Sequence, residues 1–200
     1  MTRWLKFEAG RFYFVLSVIV VGGILGAGSG LMAVKMVSDT ESVRNGPWQT
    51  SADYGNPDAN PWMLSAVALS GLMTTRQDEA VHLTAFRDSA GERLKANCVY
   101  YLSGPVPDAD WWTVTLYGND HFPIPNAASI WSASAGDVTQ DGQGNIRIQL
   151  GGDDPGSAWI PSGAGDAGRS VTLRLYRPAE GVAADLATVA LPHIDRGACR

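Results

Sequence analysis

Residues 110 to 126 read DWWTVTLYGNDHFPIPN and gather two Trp, a Tyr, two Asp and one of the chain's three His into seventeen positions. Trp112, Val114 and Leu116 alternate with Trp111, Thr113, Thr115 and Tyr117. Period two is the mark of a β-strand with one buried face, so the first eight residues are predicted to be a strand with the Trp112 set turned inward. Beyond Tyr117 the alternation stops. Asn119 and Asp120 suit a turn, and Pro123 and Pro125 stiffen the chain after it, so the second half reads as a connection.

The same alternation recurs outward from this stretch. AVHLTAFRD, a turn at SAG and LKANCVYYLSG read together as a hairpin; then come WWTVTLYG, SIWSASA, IRIQLGG, AWIP, SVTLRLYRP and a last short strand near LATVALP. Polar, Gly-rich segments separate them. Such a series, without long helices between strands, predicts a mainly β fold: an antiparallel β-sandwich. The crossover helices that a parallel α/β sheet needs are missing. Ile146, Ile148 and Leu150, with Val171, Leu173 and Leu175, join the Trp112 set as the expected core. The opposite face carries Trp111, Tyr117, Arg174 and Tyr176 among Thr residues. It reads either as a solvated sheet face or as a flat platform for a sugar or a protein partner.

Ahead of the strands, Phe12 to Val34 is an uncharged run of twenty-three residues. At about 1.5 Å per residue it is long enough to cross a hydrocarbon core of about 30 Å. Arg3, Lys6 and Arg11 precede it with only Glu8 against them, which by the positive-inside rule keeps the N-terminus cytoplasmic and exports the rest. A cleaved signal peptide is the competing reading, with small residues at Ala27, Gly28 and Ser29. The run continues past that site through Leu31, Met32, Ala33 and Val34, which favours an uncleaved anchor. The expected organisation is a cytoplasmic flank (1–11), a transmembrane helix (12–35), a connecting arm (36–60) and an exported β-sandwich (61–200). Within the arm-proximal part of the last unit, PWMLSAVALSGLM reads as one short helix, with Asn60 as N-cap and Pro61 in its first position. It is apolar nearly all round and is expected to be covered.

Gly22, Gly26 and Gly30 repeat every four residues along the membrane run. A stripe of this kind lets a second membrane helix approach, in a homo-oligomer or with a protein partner, although Gly is also simply common in such helices. Charge excludes another class. The chain has 15 Lys and Arg against 20 Asp and Glu; setting aside Arg3, Lys6, Arg11, Lys35 and Glu8 leaves 11 against 19, a formal −8 for the exported part. Such a surface repels phosphate backbones, which argues against nucleic acid. Both cysteines, Cys98 and Cys199, fall in the exported part, where an even pair reads as a disulfide tying the C-terminus to an early strand.

Several motifs carry a resemblance. PDADWWTVTLYGNDHFPIPN, SIWSAS, DGQGNIRIQL, DDPGSAWIPSGAG and SVTLRLYRP occur in the order and with the residue types of the bacterial family named domain of unknown function 1214. The upstream segment, with its Asp88-x-x-Gly91-x-x-Leu94 hairpin, looks like that family's lead-in, and the resemblance covers about residues 46 to 196. It departs at Ile160, where the family often has Leu. The full chain looks like the short, inner-membrane-anchored members seen in alphaproteobacteria; longer relatives carry this module behind a second domain. The resemblance implies a β-sandwich of jelly-roll type and no reaction.

Residue spacing offers little for catalysis. There is no G-x-S-x-G elbow between strand and helix, and His82, His121 and His193 lack metal-site spacing. GGDDPG and QDGQGN are turns rather than calcium loops. Asp120 and His121 are the best acid-base candidates by adjacency, but neighbours on an extended chain point to opposite sides. No cofactor, metal or catalytic residue is therefore expected, and the chain reads as an interaction or structural module of the cell envelope. The alternative is a carbohydrate-binding or carbohydrate-active domain using Trp111, Tyr117, Arg174 and Tyr176.

Overall fold

In the computed structural model, residues 2–40, 42–51, 53–70, 75–165 and 167–200 are described. The side chains of 2–9, 38–40 and 70 lie outside the description, the Arg3, Lys6 and Glu8 flank among them. The first half comprises α1 (Thr2–Thr40), β1 (Ser42–Asn45), β2 (Trp48–Ser51), α2 (Pro61–Ser70), β3 (Ala80–Ala85), β4 (Cys98–Pro105) and β5 (Ala109–Tyr117). The second comprises β6 (Ser132–Ser134), β7 (Asn145–Leu150), β8 (Trp159–Ile160), β9 (Ser170–Pro178) and β10 (His193–Cys199).

The strands form two sheets, one of six strands in the order β1-β2-β3-β9-β5-β6 and one of four in the order β10-β4-β7-β8. Among the described strands every pairing is antiparallel except β7 with β8, a parallel contact of Gln149 with Trp159 and Leu150 with Ile160. The fold is thus mainly β, in a sandwich-like arrangement whose smaller sheet is mixed. Trp112, Val114 and Leu116 of β5, Val171, Leu173 and Leu175 of β9, and Val81, Leu83 and Ala85 of β3 share one core with Tyr100 and Leu102 of β4, Ile146, Ile148 and Leu150 of β7, and Ile194 of β10. Each Val, Leu or Ile among them contributes about 1.5–3 kcal/mol by leaving water. Gly151 closes the core at one corner: it has φ +77°, and an added Cβ would stand 2.8 Å from the Cys98 carbonyl oxygen.

Several sequence expectations are corrected by pairing between distant segments. β3 and β4 do not form a hairpin. The chain turns tightly at Asp88 to Glu92, makes one bridge between Arg87 and Arg93, and then crosses to the other sheet. Residues 42–51 of the expected arm are a hairpin instead, with Asn45 opposite Trp48, and β2 pairs with β3. Trp48 is buried in the core and donates from Nε1 to the Pro192 carbonyl at 2.8 Å. The expected strand near LATVALP is a run of turns, held by Asn45 Nδ2 on the Leu186 and Val189 carbonyls, and the last strand is β10. Asn45 and Trp48 take up the backbone oxygens that a strand at 186–192 would have offered a neighbour.

α2 begins as its sequence dictates. Asn60 Oδ1 accepts the Trp62 N–H at 2.9 Å, and Pro61 occupies a position where a missing N–H costs nothing. The expected cover does not materialise: Met63 is buried, while Trp62, Leu64 and Leu69 are exposed. Leu72 and Met73 of the expected helix lie outside the described residues.

Candidate functional site

The four aromatic and cationic residues of the candidate ligand face lie on the outward face of the six-stranded sheet, in two groups: Trp111 with Tyr176, and Arg174 with Tyr117. β5 and β9 run antiparallel with Trp111 opposite Tyr176, Thr113 opposite Arg174 and Thr115 opposite Thr172. Directly opposed side chains stand about 4.5–5.5 Å apart at Cβ, so Trp111 and Tyr176 are neighbours on one surface. Both remain open to solvent, at 44% and 38% exposure. One register step inward, Arg174 Nη2 donates to Tyr117 Oη at 2.6 Å and Nη1 to Thr115 Oγ1 at 3.3 Å. The guanidinium also lies over the Tyr117 ring, 5.4 Å from its centre.

Across β3 the face continues with His82, opposite Arg174, and Thr84, opposite Thr172. Thr84 and Thr172 share a 3.0 Å hydroxyl hydrogen bond. Burial, followed by the Arg174 charge, pushes the His82 imidazole down from 6.5 to about 4. His82 is therefore neutral at pH 7, and the positive charge on this part of the face belongs to Arg174. Residue spacing does not place His82 on this face, although its outward register on an alternating strand is legible in the sequence. In chemical terms the surface offers two exposed aromatic side chains at one end of the β5–β9 pair, the Trp111 ring edge lying toward Gly136, and a guanidinium held by Thr115 and Tyr117 toward the other end. Aromatic faces suit stacking on an apolar ring face, and a guanidinium suits donating to carboxylate oxygens.

The other candidates separate. Asp120 and His121 are both exposed in the turn after β5. Asp120 Oδ1 accepts the Phe122 N–H, and His121 adopts φ +63°. The carboxylate serves the turn, which is closed by a Gly118 N–H bond to the Phe122 carbonyl. His82, His121 and His193 lie on β3, in that turn and at the start of β10; among the described residues no group of three or more His, Cys, Asp or Glu is placed to hold a metal. Cys98 and Cys199 are at disulfide distance where β10 meets β4. Gly22, Gly26 and Gly30 lie on α1 with nothing within 4 Å of an added Cβ.

One cluster leaves little trace in the sequence. Asp88 is 2% exposed, and its Oδ1 accepts the N–H groups of Ala90 and Glu92 at 3.1 and 2.8 Å. Its Oδ2 is ion-paired with Arg196 Nε at 2.9 Å. The D-x-x-G spacing marks the turn; the partner, more than a hundred residues on, has no local signal.

The sequence model described as "Protein of unknown function (DUF1214)" matches residues 79–180. No curated protein matches the chain. Among solved structures, the VPA0106 protein from Vibrio parahaemolyticus is similar over 68% of this chain and 35% of its own, at 20% identity and a TM-score of 0.55. An uncharacterized protein from Burkholderia cenocepacia is similar over 59% of this chain and 29% of its own, at 14% identity and a TM-score of 0.44. The chain thus spans about a third of the length of these structures. The Vibrio likeness supports the fold alone.

Proposed function

We propose, for a chain that belongs to the DUF1214 family, that the β-sandwich is an interaction or structural module held at the periplasmic face of an inner membrane by α1. The observation that carries this reading is the apolar stretch Gly10–Val37, twenty-eight residues of helix with none of its apolar window buried against the sandwich. An uncovered surface of that length matches a bilayer. The Arg3, Lys6 and Arg11 flank supports a cytoplasmic N-terminus, and a cysteine pair at disulfide distance supports an oxidising compartment. Gly22, Gly26 and Gly30 leave room for a second helix. Crosslinking of the detergent-purified protein is expected to recover a defined oligomer or partner complex that is lost with Gly22→Leu, Gly26→Leu and Gly30→Leu. If every association survives the triple substitution, helix pairing is wrong. If α1 is found cleaved from the mature protein, the anchor is wrong.

A second reading, a carbohydrate-binding jelly-roll-like domain, is favoured by one observation: Trp111 and Tyr176 occupy opposed positions on β5 and β9 and are both exposed. A glycan array probed with the full-length protein in detergent tests it. Absence of binding at millimolar ligand removes it.

A further inference from the structure

α2 presents a surface that the sandwich leaves uncovered. Its sequence, PWMLSAVALS, contains no charge, and Trp62, Leu64 and Leu69 are exposed, Leu69 at 68%. A soluble domain gains nothing from holding such a helix in water. α2 packs against α1. Toward the C-terminal end of Gly10–Val37, Ala33, Val34 and Val37 are partly covered and share a single helical face.

Length gives the level of that contact. Gly10–Val37 spans twenty-eight residues, about 42 Å of helix against a hydrocarbon core of about 30 Å. Shared between the two ends, the excess is about 6 Å each, so the end from about Val34 onward reaches the headgroup layer on the sandwich side. Lys35 is exposed in this same stretch, where an ammonium can meet phosphate. A helix packed on this face inherits its depth.

We infer that α2 is an interfacial membrane helix, embedded at the headgroup and acyl boundary of the bilayer that α1 crosses, with Trp62 at headgroup level. This rests on the reading of α1 as a retained anchor. The contact is apolar: α2 offers no cation for anionic lipid, and the exported part is acidic. With α1 and α2 flanking the β1–β2 hairpin in sequence, that edge of the six-stranded sheet lies nearest the membrane, and β5 with Trp111 stands toward the opposite edge.

The test places a nitroxide label at Leu69→Cys or Leu64→Cys in the full-length protein, in phosphatidylcholine vesicles. Labels at Ile19→Cys and Gln143→Cys serve as references for the span and for water. Collisions with oxygen and with a water-soluble nickel chelate are read by power saturation. The expected result is loss of nickel collisions at Leu69 and Leu64, with oxygen collisions approaching those at Ile19. Water-like behaviour of both positions while Ile19 remains protected overturns the inference and leaves the anchor standing. Water-like behaviour at Ile19 as well overturns the anchor and the inference with it.

Discussion

Arg174 donates a 2.6 Å hydrogen bond to the Tyr117 hydroxyl while lying over the same ring. The two side chains brace each other on adjacent strands of the larger sheet and hold a half-buried cation in one position. Tyr117→Phe keeps the ring and removes the acceptor. It is expected to lower unfolding free energy by about 1.5–3 kcal/mol, as for hydrogen bonds to charged groups, measured by urea titration.

Trp111 and Tyr176 contribute little to the core, so their replacement separates binding from folding. If the face takes a glycan, Trp111→Ala is expected to weaken binding by about fivefold, equivalent to about 1 kcal/mol of stacking. The urea midpoint should not move. A binding constant unchanged by Trp111→Ala places the glycan elsewhere.

His82 gives the stability a pH dependence of defined sign. Its folded value of about 4 lies below the ordinary 6.5, so between those values the unfolded chain binds the extra proton. Stability is whole above about pH 6.5 and falls as pH drops toward about 4. Full burial would make the loss about 3 kcal/mol, and partial exposure beside Arg174 reduces it. His82→Gln should flatten the profile in this window, as read by urea midpoints at successive pH values.

The Cys98 to Cys199 link closes a separation of 101 residues. The double substitution Cys98→Ala, Cys199→Ala is expected to cost about 2–4 kcal/mol. Peptide mapping under non-reducing conditions should return the linked pair from protein made in an oxidising compartment; free thiols there would contradict the bridge.

Asp88→Ala removes two backbone caps and leaves Arg196 without its carboxylate. A loss of about 1–3 kcal/mol is expected, in the range for leaving buried donors without their acceptor. Arg196→Ala removes the cation from Oδ2 but leaves both N–H groups on Oδ1, so it should cost less than Asp88→Ala in the same measurement.

The alternation around Trp112, Ile148 and Leu173 is enough to predict which side of each strand is buried, because side-chain direction along a strand has a strict period of two. It is enough, too, to place Trp111, Tyr117, Arg174 and Tyr176 on one kind of surface. The β1–β2 hairpin has a local signal, Gly46-Pro47, with Gly46 at the first loop position at φ +59°, which the polar residues around it mask; four-residue strands are too short for periodicity to register.

What the sequence by itself determined is therefore local: an apolar span long enough for a bilayer, a mainly β body, the inward and outward sets, the α2 cap and the pairing of the only two cysteines. Only the tertiary structure decided which strands are neighbours. It split β3 from β4, turned 186–192 into loops held by Asn45 and Trp48, placed His82 against Arg174 and Asp88 against Arg196, and left α2 uncovered beside α1. These outcomes depend on contacts between segments far apart in the chain. Their loop-closure cost is offset only by burial shared across both sheets, which no short window of sequence contains.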